Sequence, residues 1–348
     1  MKGLLLSNLG TPEGSDVLSV KNFLGEFLMD RDVISLPWPL RYLLVHGVIL
    51  RKRPEESAKN YQKIWTNEGS PLLVNSVNFA SKIQDRLYPR LKVKLGMRYG
   101  NPSLRKSLLE LQEAGVTELI VTPLYPQYAE ATTVSTLKKV EEDLASINWK
   151  PKKITFIKDF FHHESFARAQ NQLLKKYAKS YQYDHVLMSF HGLPIAQIKK
   201  VDTSKQHCLK SNSCCDNWGQ KNRYCYRAQC FETGRLIANF SGIPQSQFTV
   251  SFQSRFGRSK WIQPYTEEVI DSLIKKGVKR LLVMCPAFVA DCLETLEEIE
   301  IRLKEDFIAK GGEDFKMLPS LNSEDFWADA FVSILEESLA EAHLTTER

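Results

Sequence analysis

Short apolar runs recur along this chain and alternate with segments whose apolar positions repeat at the helical period. The runs at 3–9, 92–97, 118–124, 154–157, 184–190, 247–252, 280–285 and 315–319 read as strands. Between the first two, Asp16 to Leu28 sets Val17, Val20, Phe23, Leu24 and Phe27 on one helical face. Ser70-Pro71 and Asn101-Pro102 each read as a helix cap followed by proline in the first turn, and Gly115 suits the end of the second of these helices. Strand and helix in steady alternation are the pattern of parallel βαβ units, which predicts an α/β protein.

One run organises the rest. Val186-Leu187-Met188-Ser189-Phe190 is continuously apolar apart from its serine, ends in His191 and is then broken by Gly192 and Pro194. It predicts a buried strand that delivers an imidazole to the carboxyl edge of a sheet, where open α/β sheets bind their ligands. The first half carries a counterpart. Leu6-Ser7-Asn8-Leu9-Gly10-Thr11-Pro12 matches Met188-Ser189-Phe190-His191-Gly192-Leu193-Pro194 at an offset of 182 residues. Arg98-Tyr99-Gly100 resembles Arg255-Phe256-Gly257, and Gly115-Val116 resembles Gly277-Val278, in the same order. These matches predict a duplicated doubly wound domain, divided as 1–160 and 161–348, with a cleft between the lobes. Leu9 and His191 are then equivalent positions, and the second half carries the reactive group.

A length of 348 residues suits two domains, and 43% hydrophobic with 25% charged residues describes a globular protein with a sizeable core. The net charge of +6, well mixed, is too mild for a nucleic-acid binder. No Gly-x-Gly-x-x-Gly or Walker pattern is present, so no nucleotide is expected. The apolar stretch at the N-terminus is too short for a signal peptide and no run approaches a membrane span, so the expected location is the cytoplasm. Each half holds an insertion. In the first, the apolar segment 37–50 followed by Arg51-Lys52-Arg53 (37–53 in all) reads either as a lip that touches a membrane surface or as a core helix. In the second, five of the seven cysteines fall between Cys208 and Cys230, and in a reducing compartment such a cluster points to metal rather than to disulfides.

A second chemical segment follows the strand at 280–285. On an α-helix Asp291, Glu294 and Glu298 stand at i, i+3 and i+7 and form one acidic stripe, with Leu293 and Leu296 on another face. The stripe starts at the strand edge where His191 is expected, which predicts a histidine–carboxylate pair for proton transfer.

Together these motifs closely resemble the ferrochelatase family. The likeness rests on Ser-Phe-His-Gly-Leu-Pro at 189–194, Ser-Phe-Gln-Ser-Arg-Phe-Gly at 251–257 with Trp261 and Pro264, and Cys-Pro-Ala-Phe-Val-Ala-Asp-Cys-Leu-Glu-Thr-Leu-Glu-Glu-Ile at 285–299. Asn8-Leu9-Gly10-Thr11-Pro12, Gly69-Ser70-Pro71-Leu72, Gly96-Met97-Arg98-Tyr99-Gly100 and Pro123-Leu124-Tyr125-Pro126-Gln127-Tyr128 extend it over nearly the whole chain. The resemblance implies two Rossmann-like lobes, each with a four-stranded parallel sheet flanked by helices. It implies insertion of Fe²⁺ into protoporphyrin with loss of two pyrrole protons. His191 would be the proton acceptor or metal-handling group and Glu294 its partner, with Asp291 and Glu298 extending a polar path for protons or metal. Leu9, Tyr99, Tyr125, Trp261 and Phe288 suit packing against a large macrocycle, and Arg98 suits a propionate. Competing expectations are a chelatase for coproporphyrin or another divalent metal, and a non-catalytic tetrapyrrole carrier or redox sensor.

The cysteine pattern is Cys208-x5-Cys214-Cys215-x9-Cys225-x4-Cys230, which lacks the Cys-x2-Cys knuckle usual for zinc. Four thiolates from one loop suit a [2Fe-2S] cluster, with zinc as the alternative. Some ferrochelatases draw cluster ligands from a C-terminal extension and a cysteine after the Pro-Gln-Tyr motif. Here Glu130 holds that place and the tail has no cysteine, so the chain is similar to the bacterial type in which an internal segment supplies the ligands. The expected ligands are Cys208, Cys215, Cys225 and Cys230, with Cys214 as the substitute. Cys285 and Cys292 are expected to be packing or pocket residues.

Overall fold

The computed structural model describes residues 1–255, 257 and 259–346, so Phe256 of the Arg255-Phe256-Gly257 motif lies outside the described residues. Each of the eight apolar runs forms a strand: β1 (Lys2–Gly10), β2 (Leu91–Tyr99), β3 (Glu118–Pro123), β4 (Lys153–Phe156), β5 (His185–His191), β6 (Phe248–Gln253), β7 (Arg280–Met284) and β8 (Asp314–Met317). They build two four-stranded sheets, in the orders β2-β1-β3-β4 and β6-β5-β7-β8, with every pairing parallel. Parallel strands are covered on both faces, so the central ones are apolar throughout rather than alternating. Leu4, Leu5 and Leu6 in β1, and Val186, Leu187, Met188 and Phe190 in β5, are accordingly all buried.

The chain divides into two units, and the division differs from a single break after residue 160. The first unit holds 1–125, 130–159 and the segment from Ser323 onward; the second holds Pro126–Ala129 and Phe160–Asn322. Within the second unit, the backbone N–H groups of Phe160 and Phe161 both donate to the Pro126 carbonyl, at 2.9 and 3.0 Å. Gln127 Nε2 also donates to Thr233 Oγ1 at 3.0 Å, and Tyr128 N to Gln229 Oε1 at 2.6 Å. The C-terminal helix Asp325–Thr346 belongs to the first unit because Trp327 stacks on Phe79 of the helix Pro71–Leu87, with ring centroids 5.5 Å apart. Phe331 meets the same Phe79 edge-on, and Arg86 Nε donates to Asp329 Oδ1 at 2.6 Å beside this apolar contact.

The two sheets repeat one another with one slip. Gly3 pairs with Leu119 and His185 with Leu281, as the offsets of the Leu9/His191 and Gly115/Gly277 matches require. On the other side of the central strand, Asn8 pairs with Met97 and Gly10 with Tyr99, which sets Leu9 level with Arg98; His191 pairs with Gln253. The ladder therefore equates Arg98 with Gln253, and Arg255 stands two residues further along than the motif match placed it. A shift of two keeps every side chain on its own face of the sheet, so such a slip leaves the apolar pattern unchanged.

Helix starts are mixed. Asp16 caps the helix Val17–Leu28, accepting from Leu18 N and Ser19 N, and Val20, Phe23 and Leu24 are buried, whereas Val17 is exposed in the first turn. Ser70 precedes the helix Pro71–Leu87, but its Oγ accepts from Thr11 Oγ1 at 2.8 Å instead of capping. Asn101-Pro102 is not a cap. Its peptide bond is cis, the Pro102 carbonyl accepts from Met97 N at 2.6 Å, and the helix begins at Leu104 with Ser103 as its cap.

Candidate active site

In the second unit β5 and β6 end side by side, and this edge holds the site. His191 is half-buried, with Nδ1 2.6 Å from the carbonyl oxygen of Gly192. A carbonyl only accepts, so this contact assigns the proton to Nδ1 and leaves Nε2 as a lone-pair acceptor. Gly192 in turn donates to the Gln253 carbonyl at 2.8 Å, and a Cβ at this position would lie 2.7 Å from that same oxygen and 3.2 Å from the Trp261 ring. No other residue fits so close an approach. Beyond it the strip Lys260–Ile262 runs beside Leu193–Ile195, through Ile195 N to the Lys260 carbonyl at 2.8 Å and Ile262 N to the Leu193 carbonyl at 3.0 Å. The Phe288 ring meets the imidazole edge-on at 6.4 Å.

The acidic segment departs from a regular α-helix. Its helix starts at Leu293 and passes at once into wide π-type turns over Leu296–Leu303, so Asp291 precedes the helix and is not part of a stripe with Glu294 and Glu298. Three donors fill the Asp291 carboxylate: Ser320 N at 2.9 Å, Asn322 Nδ2 at 2.8 Å and Thr295 Oγ1 at 3.1 Å. Asp291 thus anchors the loop after β7. Glu294 and Glu298, four residues apart, lie on adjacent turns and stay together at the wider pitch. Both carboxylate oxygens of Glu298 are held by Ser254, one by its N–H at 2.8 Å and the other by its Oγ at 2.5 Å. The left-handed backbone of Ser254 lets N–H and hydroxyl grip one carboxylate. Burial pushes the Glu298 carboxyl above the ordinary range; the Ser254 hydroxyl and the charges of His191 and Arg302 pull it back, and Glu294 pushes it up. Glu294 is placed through its main chain, whose carbonyl accepts from Gln253 Nε2 at 2.8 Å, while Gln253 Oε1 accepts from the buried Ser189 hydroxyl at 2.6 Å.

The first unit presents its own polar group at the edge of β1 and β2. Arg98, expected to meet a propionate, is instead held by Asp30, and its Nε donates to Ser135 Oγ at 2.7 Å. Its guanidinium also lies 4.4 Å from the Tyr99 ring centroid. Tyr99, expected to pack against a macrocycle, is in the core, its hydroxyl donating to Asp30 Oδ2 at 2.8 Å and its ring meeting Phe27 at 5.2 Å. Burial would raise the Asp30 carboxyl, but Ser135, Asp32 N–H, Tyr99 and Arg98 together draw it below the usual range. Leu9 and Tyr125 remain half-buried in this unit, as do Trp261 and Phe288 in the second. Asp30 escaped notice because no motif contains it, whereas Ser189, Gln253 and Ser254 sit inside motifs whose other members drew attention. The insertion at 37–53 is helical, turning Val45 and Ile49 inward and leaving Trp38 61% and Leu43 66% exposed.

All seven cysteines are buried and free of disulfides. Asp202 shapes the loop ahead of Cys208, accepting from Cys208 N at 2.8 Å, His207 N at 3.0 Å and Ser204 Oγ at 2.6 Å, so its carboxyl falls to about 2. Cys225 precedes the helix Tyr226–Ser241, and Cys230 lies a turn further on. Cys225 shares hydrogen bonds with Cys208 and with Cys215, whose sulfur is 3.7 Å from that of Cys214. The bond from Cys208 and burial push the Cys225 thiol up to about 12, and burial holds the Cys230 thiol well above its ordinary value. Among the described residues no three His, Cys, Asp or Glu side chains converge as a cage for a single metal ion. Thiols are the ligand type of both zinc and [2Fe-2S] sites, but the described cysteines are not gathered as such a ligand set.

Two parallel four-stranded sheets and a histidine at the carboxyl edge define a chelatase-type fold. SirB from Bacillus subtilis, solved with Fe³⁺, shares it with a TM-score of 0.56 over 98% of this chain and 97% of its own; at 11% identity the likeness is one of fold alone. The Ferrochelatase family model matches residues 1–339. The ferrochelatase of Pseudomonas fluorescens (strain Pf0-1) is 44% identical over 336 residues, covering 96% of this chain and 97% of that protein. That of Coxiella burnetii (strain Dugway 5J108-111) is 44% identical over 337 residues, covering 97% and 94%. The chain belongs to the ferrochelatase family.

Ser254→Ala removes the hydroxyl that holds the Glu298 carboxyl down against burial. Glu298 then stays protonated to a higher pH, and the acid limb of the rate–pH profile for metal insertion moves up. An unmoved limb would show that Glu298 does not titrate during turnover.

Proposed function

We propose that this chain inserts Fe²⁺ into protoporphyrin IX, releasing two pyrrole protons and forming protohaem, the terminal step of haem biosynthesis. Membership of the ferrochelatase family supports this reading, and the observation that carries its mechanism is the fixed imidazole. With Nδ1–H held by the Gly192 carbonyl, Nε2 of His191 is the lone pair available to a pyrrole N–H or to the incoming iron. Metalation needs the flat ring to buckle so that nitrogen lone pairs face the metal, and a pocket shaped to the buckled ring lowers the barrier by binding that form best. His191 takes a pyrrole proton, and the imidazolium is favoured by the negative charge of Glu298, which Ser254 positions. Glu294, beside Glu298, extends the carboxylate path for protons or iron. Asp291 contributes by anchoring the loop that precedes both glutamates. We keep Phe288 and Trp261 in the second unit, and Leu9 and Tyr125 in the first, as apolar surface for the macrocycle; Arg98 meets a propionate only by releasing Asp30. A carrier or redox sensor has no use for a paired proton acceptor, and nothing in the site favours coproporphyrin or another divalent metal.

The cysteine segment is assigned a [2Fe-2S] cluster, held by Cys208, Cys215, Cys225 and Cys230, with Cys214 as substitute and zinc as the alternative occupant. When bound, the cluster supplies a one-electron redox centre. The exposed apolar face of 37–53, with Trp38 and Leu43 outward and Arg51, Lys52 and Arg53 behind it, suits an anionic lipid surface, and we place the protein in the cytoplasm, peripheral to the inner face of the membrane. Among the described residues no helix is long and apolar enough to cross a membrane.

His191→Ala is expected to bind porphyrin, seen by fluorescence quenching, yet lose about 10²- to 10⁴-fold in the rate of iron insertion, the range of a general base; a variant that keeps most of its rate would refute the role. Protein purified without oxygen is expected to be brown, with acid-labile sulfide at about two per chain, whereas colourless protein with stoichiometric zinc would establish the alternative. Trp38→Ser with Leu43→Ser is expected to abolish co-sedimentation with anionic phospholipid vesicles; equal sedimentation of the variant and the parent would remove the lip from the membrane contact.

A further inference from the structure

Given the reading of His191 and Glu294 as the pair that handles protons or iron, we propose that Gln253 is a positioning residue for metal insertion. Its main chain holds the glycine that orients His191 and its side chain holds Glu294, so one residue sets the two groups relative to each other. Gln253 is the last residue of β6 and pairs with His191 in the parallel ladder. Its carbonyl accepts from Gly192 N at 2.8 Å, and the Gly192 carbonyl accepts the Nδ1 proton of His191 at 2.6 Å. Its side chain, buried with the rest of the residue, donates from Nε2 to the Glu294 carbonyl at 2.8 Å.

The contacts permit one orientation of this amide. A carbonyl only accepts, so the Glu294 oxygen faces the amide nitrogen and leaves Oε1 toward Ser189. The amide oxygen also only accepts, so the single hydroxyl proton of Ser189 goes to it at 2.6 Å. Thr266 Oγ1, 3.0 Å from Ser189 Oγ, then donates to Ser189, and Ser251 Oγ, 2.9 Å from Thr266 Oγ1, donates to Thr266. All four residues are buried. The chain of hydrogen bonds therefore runs one way, from Ser251 through Thr266, Ser189 and Gln253 to the Glu294 carbonyl, and each bond polarises the next. It joins β6, the helix Thr266–Lys275 and β5 to the segment after β7. Glu294 is thereby tied to the buried part of the sheet, independently of the loop that Asp291 braces. An apolar side chain at 253 would leave the Ser189 hydroxyl and the Glu294 carbonyl without these bonds and free the first turn of the acidic helix to shift.

The test measures kcat and the KM for protoporphyrin across pH in the full-length protein, with porphyrin binding followed by fluorescence quenching on the same samples. Gln253→Leu is expected to lose about 10²-fold in kcat, the scale of a misplaced catalytic group, with KM for porphyrin unchanged. Gln253→Glu separates positioning from packing. Its neutral carboxyl offers a hydroxyl to the Glu294 carbonyl and an oxygen to Ser189, whereas its carboxylate has no proton to donate. Burial favours the neutral form, so Gln253→Glu is expected to exceed Gln253→Leu in kcat at acid pH and to fall toward it as the pH rises, a decline that the parent does not show over that range. The proposal is overturned if Gln253→Leu keeps the parent's kcat or changes only the KM, or if Gln253→Glu shows no such decline. It is equally overturned if porphyrin binding by Gln253→Glu is lost over the same pH range as kcat, since Gln253 would then serve the fold alone. Should Gln253→Leu fail to fold, Gln253→Glu decides by itself. A parent protein that inserts no iron fails at the earlier step, the ferrochelatase reading, before any variant is compared.

Discussion

The parallel register of β5 against β6 is the constraint on which the second unit depends. Because His191 pairs with Gln253, the Gly192 N–H meets the Gln253 carbonyl and the imidazole closes onto the Gly192 carbonyl, so that Nε2 keeps its lone pair. The same Gln253 reaches with its amide from the Ser189 hydroxyl to the Glu294 carbonyl. One ladder position thus sets both the tautomer of His191 and the place of the acidic helix. A slip of one residue would turn His191 to the opposite face and break all of these contacts together.

The carboxylates show how burial and hydrogen bonding divide labour among like groups. Glu298 is half-buried and gripped by a single serine, and its burial outweighs that grip and leaves its carboxyl raised. Asp291 is saturated by three donors and acts as a fixed joint. Asp30 in the first unit is drawn low by Ser135, Asp32, Tyr99 and Arg98, so it serves as a permanent anion for the arginine. From their spacing alone Asp291 and Glu298 belonged to one acidic stripe; the number of donors that each receives separates them.

Much of this was legible in the chain. Strands were the clearest signal, because a central parallel strand covered on both faces must be apolar along most of its length, as β1 and β5 are. His191 was legible because a histidine closing such a run, just before Gly-Leu-Pro, has few places to go. The register slip between Arg98 and Arg255 was not, since a shift of two leaves the pattern of faces unaltered. Neither was the loss of Asp291 from the stripe: the helix begins only at Leu293, and Asp291 is held ahead of it by Ser320, Asn322 and Thr295, residues of which two are distant in the chain.

By itself the sequence determined the class of fold, the duplicated order of strands, the histidine at the edge of β5 and a thiol-rich insertion, all properties of local pattern and residue type. Tertiary structure decided what each group touches. It placed the C-terminal helix on the first unit through Trp327 and Phe79, bound Arg98 to Asp30, and gave Glu298 rather than Asp291 the clamp beside His191. Those outcomes depend on contacts between residues far apart in the chain, whose choice is governed by packing and by the need to satisfy every buried charge, and neither is written in the spacing of residues along a single segment.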